Sequence, residues 1–240
     1  MTSPAFKPEF NEVRVDLHRL AAYVIAPARY RQTERFGLRA TPNGFGTPEF
    51  DEGGQTRRIR VEGLNLIDER DGEAKSAPIT TLAAAAEFLD APVDPETAAE
   101  HDSPKLGDVN AALKVTEEAS LYLGWWYNMA VDALNMVRAD EASVDASEPQ
   151  LWPGHFDPAI EVGDEDHRGS YGASPGDTAI AEPYLYLGIW YADRIGVDTD
   201  DPFWNADSFP GRQLRLSEFG AGDPTEIAAN FWREARDRLL

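Results

Sequence analysis

Two runs of strict alternation constrain this chain more than any other feature. Successive side chains on a strand point to opposite faces. From 155 to 162, one face would carry His155, Asp157, Ala159 and Glu161, and the other Phe156, Pro158, Ile160 and Val162. From 184 to 191, one face would carry Tyr184, Tyr186, Gly188 and Trp190, and the other Leu185, Leu187, Ile189 and Tyr191. The aliphatic halves read as core faces of two strands joined by a turn-rich connection. If they share one core, the opposite surface combines His155 and Asp157 with Tyr184, Tyr186 and Trp190. Flat rings, carboxylates and an imidazole suit a small-molecule site. They equally suit the second face of a half-buried sheet lying under a helix or at a rim.

The connection carries Asp164-Glu-Asp166 and His167, which read as a solvated hairpin tip, and Ser174-Pro-Gly-Asp177, a turn with Pro second and Gly third. Gly172-Ala-Ser174-Pro-Gly176 also matches the G-x-S-x-G pattern of serine hydrolases. The chemistry rules that match out. The residue after the nucleophile must donate its backbone N–H to the oxyanion, and Pro175 has none. No histidine follows Ser174 to complete the usual order.

Composition narrows the function classes. There is no cysteine, which removes disulfides, thiolate catalysis and zinc–thiolate sites. No apolar run approaches the ~20 residues of a membrane helix, and the N-terminus has no apolar signal region, so a cytoplasmic protein is expected. The net charge is −21. It is unevenly spread: residues 1–70 hold 11 basic and 10 acidic side chains, leaving 11 and 33 for residues 71–240, a net of −22 there. Such a surface repels phosphates and anionic lipid, which argues against nucleic acid and membranes as partners.

The rest of the chain predicts an α+β fold in one domain over 1–240. Its mostly antiparallel sheet is built from both halves of the chain and packed by a long central helix and a C-terminal helix. Residues 1–12 read as a lead-in. Apolar spacing predicts a helix over 12–26 ended by Pro27, with His18 a surface or packing residue beside its stripe. Residues 29–39 suggest a strand, Asn43-Gly44 a hairpin turn, and 57–67 another strand followed by an Asp71-Gly72 turn. Thr81 caps a short helix, 91–108 is a loop rich in Pro and acid, and 109–139 is the long helix. Asp198, Asp200 and Asp201 invite a calcium reading, which Pro202 and the missing glycine turn weaken. Residues 213–219 read as a last strand. Asp223-Pro224-Thr225-Glu226 is a helix start, with Ile227, Phe231, Ala235 and Leu239 facing the core.

The motifs Leu38-Arg-Ala-Thr-Pro-Asn-Gly-Phe-Gly-Thr-Pro48, Trp152-Pro-Gly-His-Phe-Asp-Pro-Ala159, Ser174-Pro-Gly-Asp177 and Glu182-Pro-Tyr-Leu-Tyr186, with Phe231-Trp232 in the closing helix, resemble a family of bacterial proteins known only as a domain of unknown function. The resemblance runs from about residue 15 onward and implies no activity. From the residues themselves, the candidate ligand site is His155, Asp157, Asp177, Glu182, Tyr184, Tyr186 and Trp190. Its acid and its rings suit a cation, an amine or a sugar. An alternative is a metal-dependent or carboxylate-based enzyme using His155, Asp157 and Glu182. His155, Asp157 and His167 would be the ligand types of a two-histidine, one-carboxylate metal site, and Asp177 or Asp157 with Glu182 a carboxylate pair. A third reading is a protein–protein partner whose own subunit contact covers the aromatic face.

Overall fold

A computed structural model describes residues 5–101, 103–198 and 201–239. The chain packs as two compact units, one of residues 6–128 and 151–156, the other of 129–150 and 157 onward. The architecture is α+β and the registered strand pairs are antiparallel, with the strands of the two halves forming separate sheets. Among the described residues, no helix is long and apolar enough to cross a membrane.

The first unit opens with helix α1 (Phe10–Leu20), a π turn (Ala21–Ile25) and helix α2 (Ala26–Thr33), which form one continuous rod. Pro27 therefore does not end the helix as expected. Proline lacks an N–H and crowds the carbonyl four residues back, here that of Tyr23. The π turn widens the helix before Pro27, with the Ala26 N–H reaching Ala21, and the released Tyr23 carbonyl accepts the Asp94 N–H at 3.0 Å. The helix thus runs on through part of the segment expected as a strand over 29–39, and only its end becomes extended.

Strands β1 (Arg39–Thr41), β2 (Gly44–Gly46), β3 (Phe50–Glu52), β4 (Gln55–Glu62), β5 (Asn65–Arg70) and β6 (Glu73–Pro78) form a sheet ordered β1-β2-β4-β5-β6, with β3 on β4. The β1–β2 hairpin turns on Pro42-Asn43, one residue before the expected Asn-Gly. The single strand expected over 57–67 is two strands, because Gly63 takes a positive φ of 56° and reverses the chain. Helices α3 (Leu82–Phe88), capped by the Thr81 hydroxyl, and α4 (Pro95–Ala99), capped by Asp94, follow. The second lies inside the expected 91–108 loop.

The long helix, α5 (Glu117–Arg138), starts eight residues later than its apolar pattern suggests. The Lys114 N–H is held by the Asp16 carboxylate at 2.7 Å, and Thr116 caps the helix, its hydroxyl accepting the Ala119 N–H at 3.3 Å and its carbonyl that of Ser120. Residues of α5 up to Asn128 belong to the first unit and those from Met129 to the second.

His18 is a packing residue. Its ring stacks on Phe156 with centroids 5.0 Å apart and planes 4° from parallel. Its Nε2–H is shared by the carbonyls of Pro153 (2.7 Å) and Gly154 (3.0 Å). Burial holds the imidazole neutral, with its pKa down from 6.5 to about 4. The unfolded chain therefore takes up this proton first as pH falls. The stability His18 confers is whole above pH 6.5 and is lost as the pH falls toward 4, by at most about 3 kcal/mol. Melting temperature should drop between pH 6.5 and 5 in the native chain, and His18→Gln, which keeps a donor but does not titrate, should flatten that drop.

Strand β7 (Gln150–Trp152) lies at the boundary of the two units, and the second unit carries β8 (Asp157–Val162), β9 (Gly169–Ser174), β10 (Tyr184–Ile189) and β11 (Gly211–Arg215) in a sheet ordered β11-β10-β9-β8, with a short helix α6 (Ala192–Ile195) and the terminal helix α7 (Pro224–Leu239). Leu185, Leu187 and Ile189 are buried on the side of β10 that meets α7, where Phe231, Trp232 and Ala235 are buried in turn. The Trp232 indole N–H donates to the Tyr186 carbonyl at 2.9 Å. Arg233 and Arg236 both reach the Asp140 carboxylate, which fastens α7 to the end of α5.

Candidate functional site

The alternation read from the sequence is present, but a strand separates its two runs. The connection between β8 and β10 contains β9, whose Tyr171 and Ala173 face the core while Ser170, Gly172 and Ser174 face away. Cross-strand register fixes three rows on the outer face. Ser174 lies opposite Tyr184, which lies opposite Arg215; Ala159, Gly172, Tyr186 and Gln213 form the next row; Glu161, Ser170, Gly188 and Gly211 the third. Asp157, two residues before Ala159, shares this face.

Small residues on β9 decide what the tyrosines can do. A Cβ on Gly172 would sit 2.3 Å from the Tyr186 ring and hydroxyl, so the ring lies flat across the bare backbone of Gly172. That places its hydroxyl 2.6 Å from the Asp157 carboxylate, to which it donates. One row away, the Tyr184 hydroxyl donates to Asp177 at 2.6 Å. Burial, and then the neighbouring carboxylates, push both phenols well above their ordinary pKa. Both therefore remain protonated donors and neither can act as a base at neutral pH.

Trp190 closes the face at the far end of β10. It is 42% exposed, yet its orientation is fixed. Its indole N–H donates to the Ser170 hydroxyl at 2.8 Å, and the Arg168 guanidinium lies over its ring at 5.4 Å, itself held by the Gly163 carbonyl and by Glu161.

Of the seven residues expected at the site, Asp157, Asp177, Tyr184, Tyr186 and Trp190 come together on this face or at its end. Asp177 also caps its own turn, accepting the N–H groups of Ala179 and Ile180 at 2.7 and 2.8 Å. Glu182 turns to Ser217, one oxygen accepting its N–H and the other its hydroxyl, both at 2.9 Å.

His155 does not belong to the alternating run. Strand β8 starts at Asp157, and Phe156 takes a left-handed φ of 58°, which breaks the two-residue period just before it. The cause is a buried cluster in the first unit. Phe156 packs on His18, Phe45 and Tyr127, and the Tyr127 hydroxyl donates to its carbonyl at 2.8 Å. Holding a bulky residue in that backbone region costs about 1–3 kcal/mol, which this packing must offset. His155 itself is an exposed turn residue of the first unit.

His167 sits at the β8–β9 hairpin tip with Nδ1 3.1 Å from Asp164. Among the described residues, no three His, Asp or Glu side chains are grouped to hold a metal ion. Of the aspartates weighed as a calcium loop, Asp201 accepts the Phe203 N–H and pairs with Arg238, and Asp200 lies outside the described residues.

Sequence reasoning missed Ser170, Gly172, Ser174 and Phe209, whose ring lies against Tyr186 with centroids 6.1 Å apart. The alternation of Ser170, Gly172 and Ser174 with Tyr171 and Ala173 was the signal for β9, hidden by its small residues. Phe209 had no local signal.

No protein-family model, curated protein or solved structure matches the chain.

Proposed function

We propose that this chain is a binding module for a small organic ligand, a cation, an amine or a sugar, taken on the outer face of the β8–β11 sheet. The observation that carries this reading is the pair of Tyr–Asp hydrogen bonds, Tyr186 to Asp157 and Tyr184 to Asp177, beside an exposed indole held in one orientation. Each phenol oxygen keeps acceptor capacity after donating its proton. A pinned aromatic ring offers stacking area or a cation–π surface without a further loss of side-chain entropy. The net of −22 over residues 71–240 raises the local concentration of cationic ligands. A cytoplasmic location belongs to the same reading.

The enzyme alternative has less to support it. Glu182 and Asp177 spend their oxygens on turn and hydroxyl donors, and a general acid or base must be able to reach the proton it moves.

A thermal-shift series with tetramethylammonium, propylamine and glucose tests the proposal. A ligand at a hundred times its Kd adds about 2.7 kcal/mol to stability. At least one of the three should raise the melting temperature of the native chain, and Asp157→Asn or Tyr186→Phe should remove the shift while the fold is kept. No shift with any of them, or one that survives both substitutions, would refute the reading.

A further inference from the structure

The outer face contains a gap that the chain fills with a ring of its own. Gly188 and Gly211 lie opposite each other across β10 and β11, so two neighbouring positions carry no side chain. Glycine in a strand interior weakens the strand and often marks a place where another group approaches closely. Here that group is Phe209. A Cβ on Gly188 would lie 3.7 Å from its ring, and one on Gly211 2.8 Å from it. The same ring meets Tyr186 at 74° between planes. Ser170, which holds the Trp190 indole, is the other neighbour of Gly188. The gap is therefore a slot with a flat floor, flanked by Tyr186 and by the Ser170–Trp190 pair, while the nearby carboxylates are already engaged, Asp157 by the Tyr186 hydroxyl and Glu161 by Arg168.

Phe209 reaches the slot from a strap that wraps the outer edge of β11. Phe203 lies on the α7 side, its ring stacked by the Arg212 guanidinium at 4.2 Å and by Arg238 at 4.7 Å. The Asn205 side-chain oxygen Oδ1 accepts the Gln213 N–H at 2.9 Å, and the Ala206 N–H donates to the Gly211 carbonyl. Pro210 fastens the far end through the Ile189 N–H at 2.9 Å. Phe209 lies between these fastenings and is only half-buried. One side of the strap is thus clamped, while the ring on the other side rests on bare backbone.

We propose that Phe209 is a self-supplied occupant of a ligand slot, and that the ligand is an aromatic amine whose ring replaces that of Phe209 over Gly188 and Gly211. This rests on the binding reading above and names the ligand class of the same face. A planar ring suits the slot because a planar ring already fills it. A cationic substituent suits the acidic surface, a net of −22 over residues 71–240. Exchanging one ring for another returns most of the packing, so the cost of opening is the population of the swung-out strap. When only a fraction of molecules is open, apparent Kd is the intrinsic value divided by that fraction. Removing the Phe209 ring should abolish that penalty.

The test is titration of benzylamine, followed by tryptophan fluorescence and melting temperature. The proteins are the native chain, Phe209→Ala, Phe209→Leu, and Phe209→Ala combined with Gly188→Val, which refills the floor. Phe209→Ala should bind at least about ten times more tightly than the native chain, and the added valine should cancel the gain. Equal affinity in a folded Phe209→Ala protein, or a gain that survives Gly188→Val, overturns the proposal. If Phe209→Ala melts without cooperativity, Phe209→Leu carries the same comparison, and no gain there overturns it too. Ligand binding in the native chain that depends on Asp157 but ignores every Phe209 variant sinks the slot and leaves the binding module standing. No binding of benzylamine, tetramethylammonium, propylamine or glucose by any of these proteins sinks both.

Discussion

Trp232→Ala is expected to destabilise the chain by about 3–5 kcal/mol, the range for truncating a buried large aromatic side chain. Trp232 is wholly buried on α7, beneath the strand that carries Tyr184 and Tyr186. Two losses combine. The indole volume leaves a cavity that the rigid sheet can collapse into only in part. The Tyr186 carbonyl also loses the indole N–H that reaches it at 2.9 Å, and a typical hydrogen bond contributes about 0.5–1.5 kcal/mol net. Trp232→Phe separates the two, since it keeps most of the volume and removes only the donor. It should cost markedly less than the alanine variant in urea denaturation. Equal costs would mean that the hydrogen bond, rather than the packing, holds β10 on α7. Because the outer face of β10 is positioned from below, Trp232→Ala should also weaken any ligand that Asp157→Asn abolishes.

Arg57→Ala is the second large effect, expected at about 3–5 kcal/mol for removing one partner of a buried ion pair. Arg57 is 1% exposed. Its guanidinium grips Asp68 with two bonds, Nε to Oδ1 at 2.7 Å and Nη2 to Oδ2 at 3.0 Å, and also reaches Glu52 at 2.8 Å and the Leu89 carbonyl at 2.7 Å. Alanine leaves Asp68, itself buried, with the weaker Arg70 contact at 3.2 Å. Most of the penalty is that stranded carboxylate. The paired replacement Arg57→Met with Asp68→Leu should therefore cost less than Arg57→Ala alone. Chemical denaturation of the three proteins decides it, and a double variant as unstable as the single one would show that the hydrogen bond to Leu89 matters more than the charges.

These two positions also mark the boundary of what sequence could tell. Trp232 was legible as one half of a Phe-Trp pair in a closing helix, beside a stripe at Phe231, Ala235 and Leu239. Residue type alone did not set Arg57 apart from Arg58 and Arg60 in the same run. That it is the buried member, while Arg58 and Arg60 of the same strand stay partly exposed, follows from strand pleat and from the helix end at Leu89. The pleat is a local signal, placing Arg57 on the buried face of Ile59 and Val61, whereas the Leu89 carbonyl comes from a distant segment.

The sequence by itself determined the α+β class, the alternation over 157–162 and 184–189, the caps at Thr81 and Asp223, and the grouping of Asp157, Tyr184 and Tyr186 on one face. Each of these rests on local periodicity or on a side chain reaching its own backbone, and such signals survive without a partner. Tertiary structure decided the rest. It carried a helix through Pro27 by giving the Tyr23 carbonyl to Asp94. It made Gly169–Ser174 a central strand because β8 and β10 had faces to pair with. It withdrew His155 from the face by locking Phe156 against His18, Phe45 and Tyr127. And it laid Phe209 over Gly188 and Gly211, a meeting of residues on different segments whose sequence carries no mark of it. Long-range packing overrode local preference at each of these points because burying a ring or satisfying a backbone group outweighs the fraction of a kcal/mol that propensity supplies.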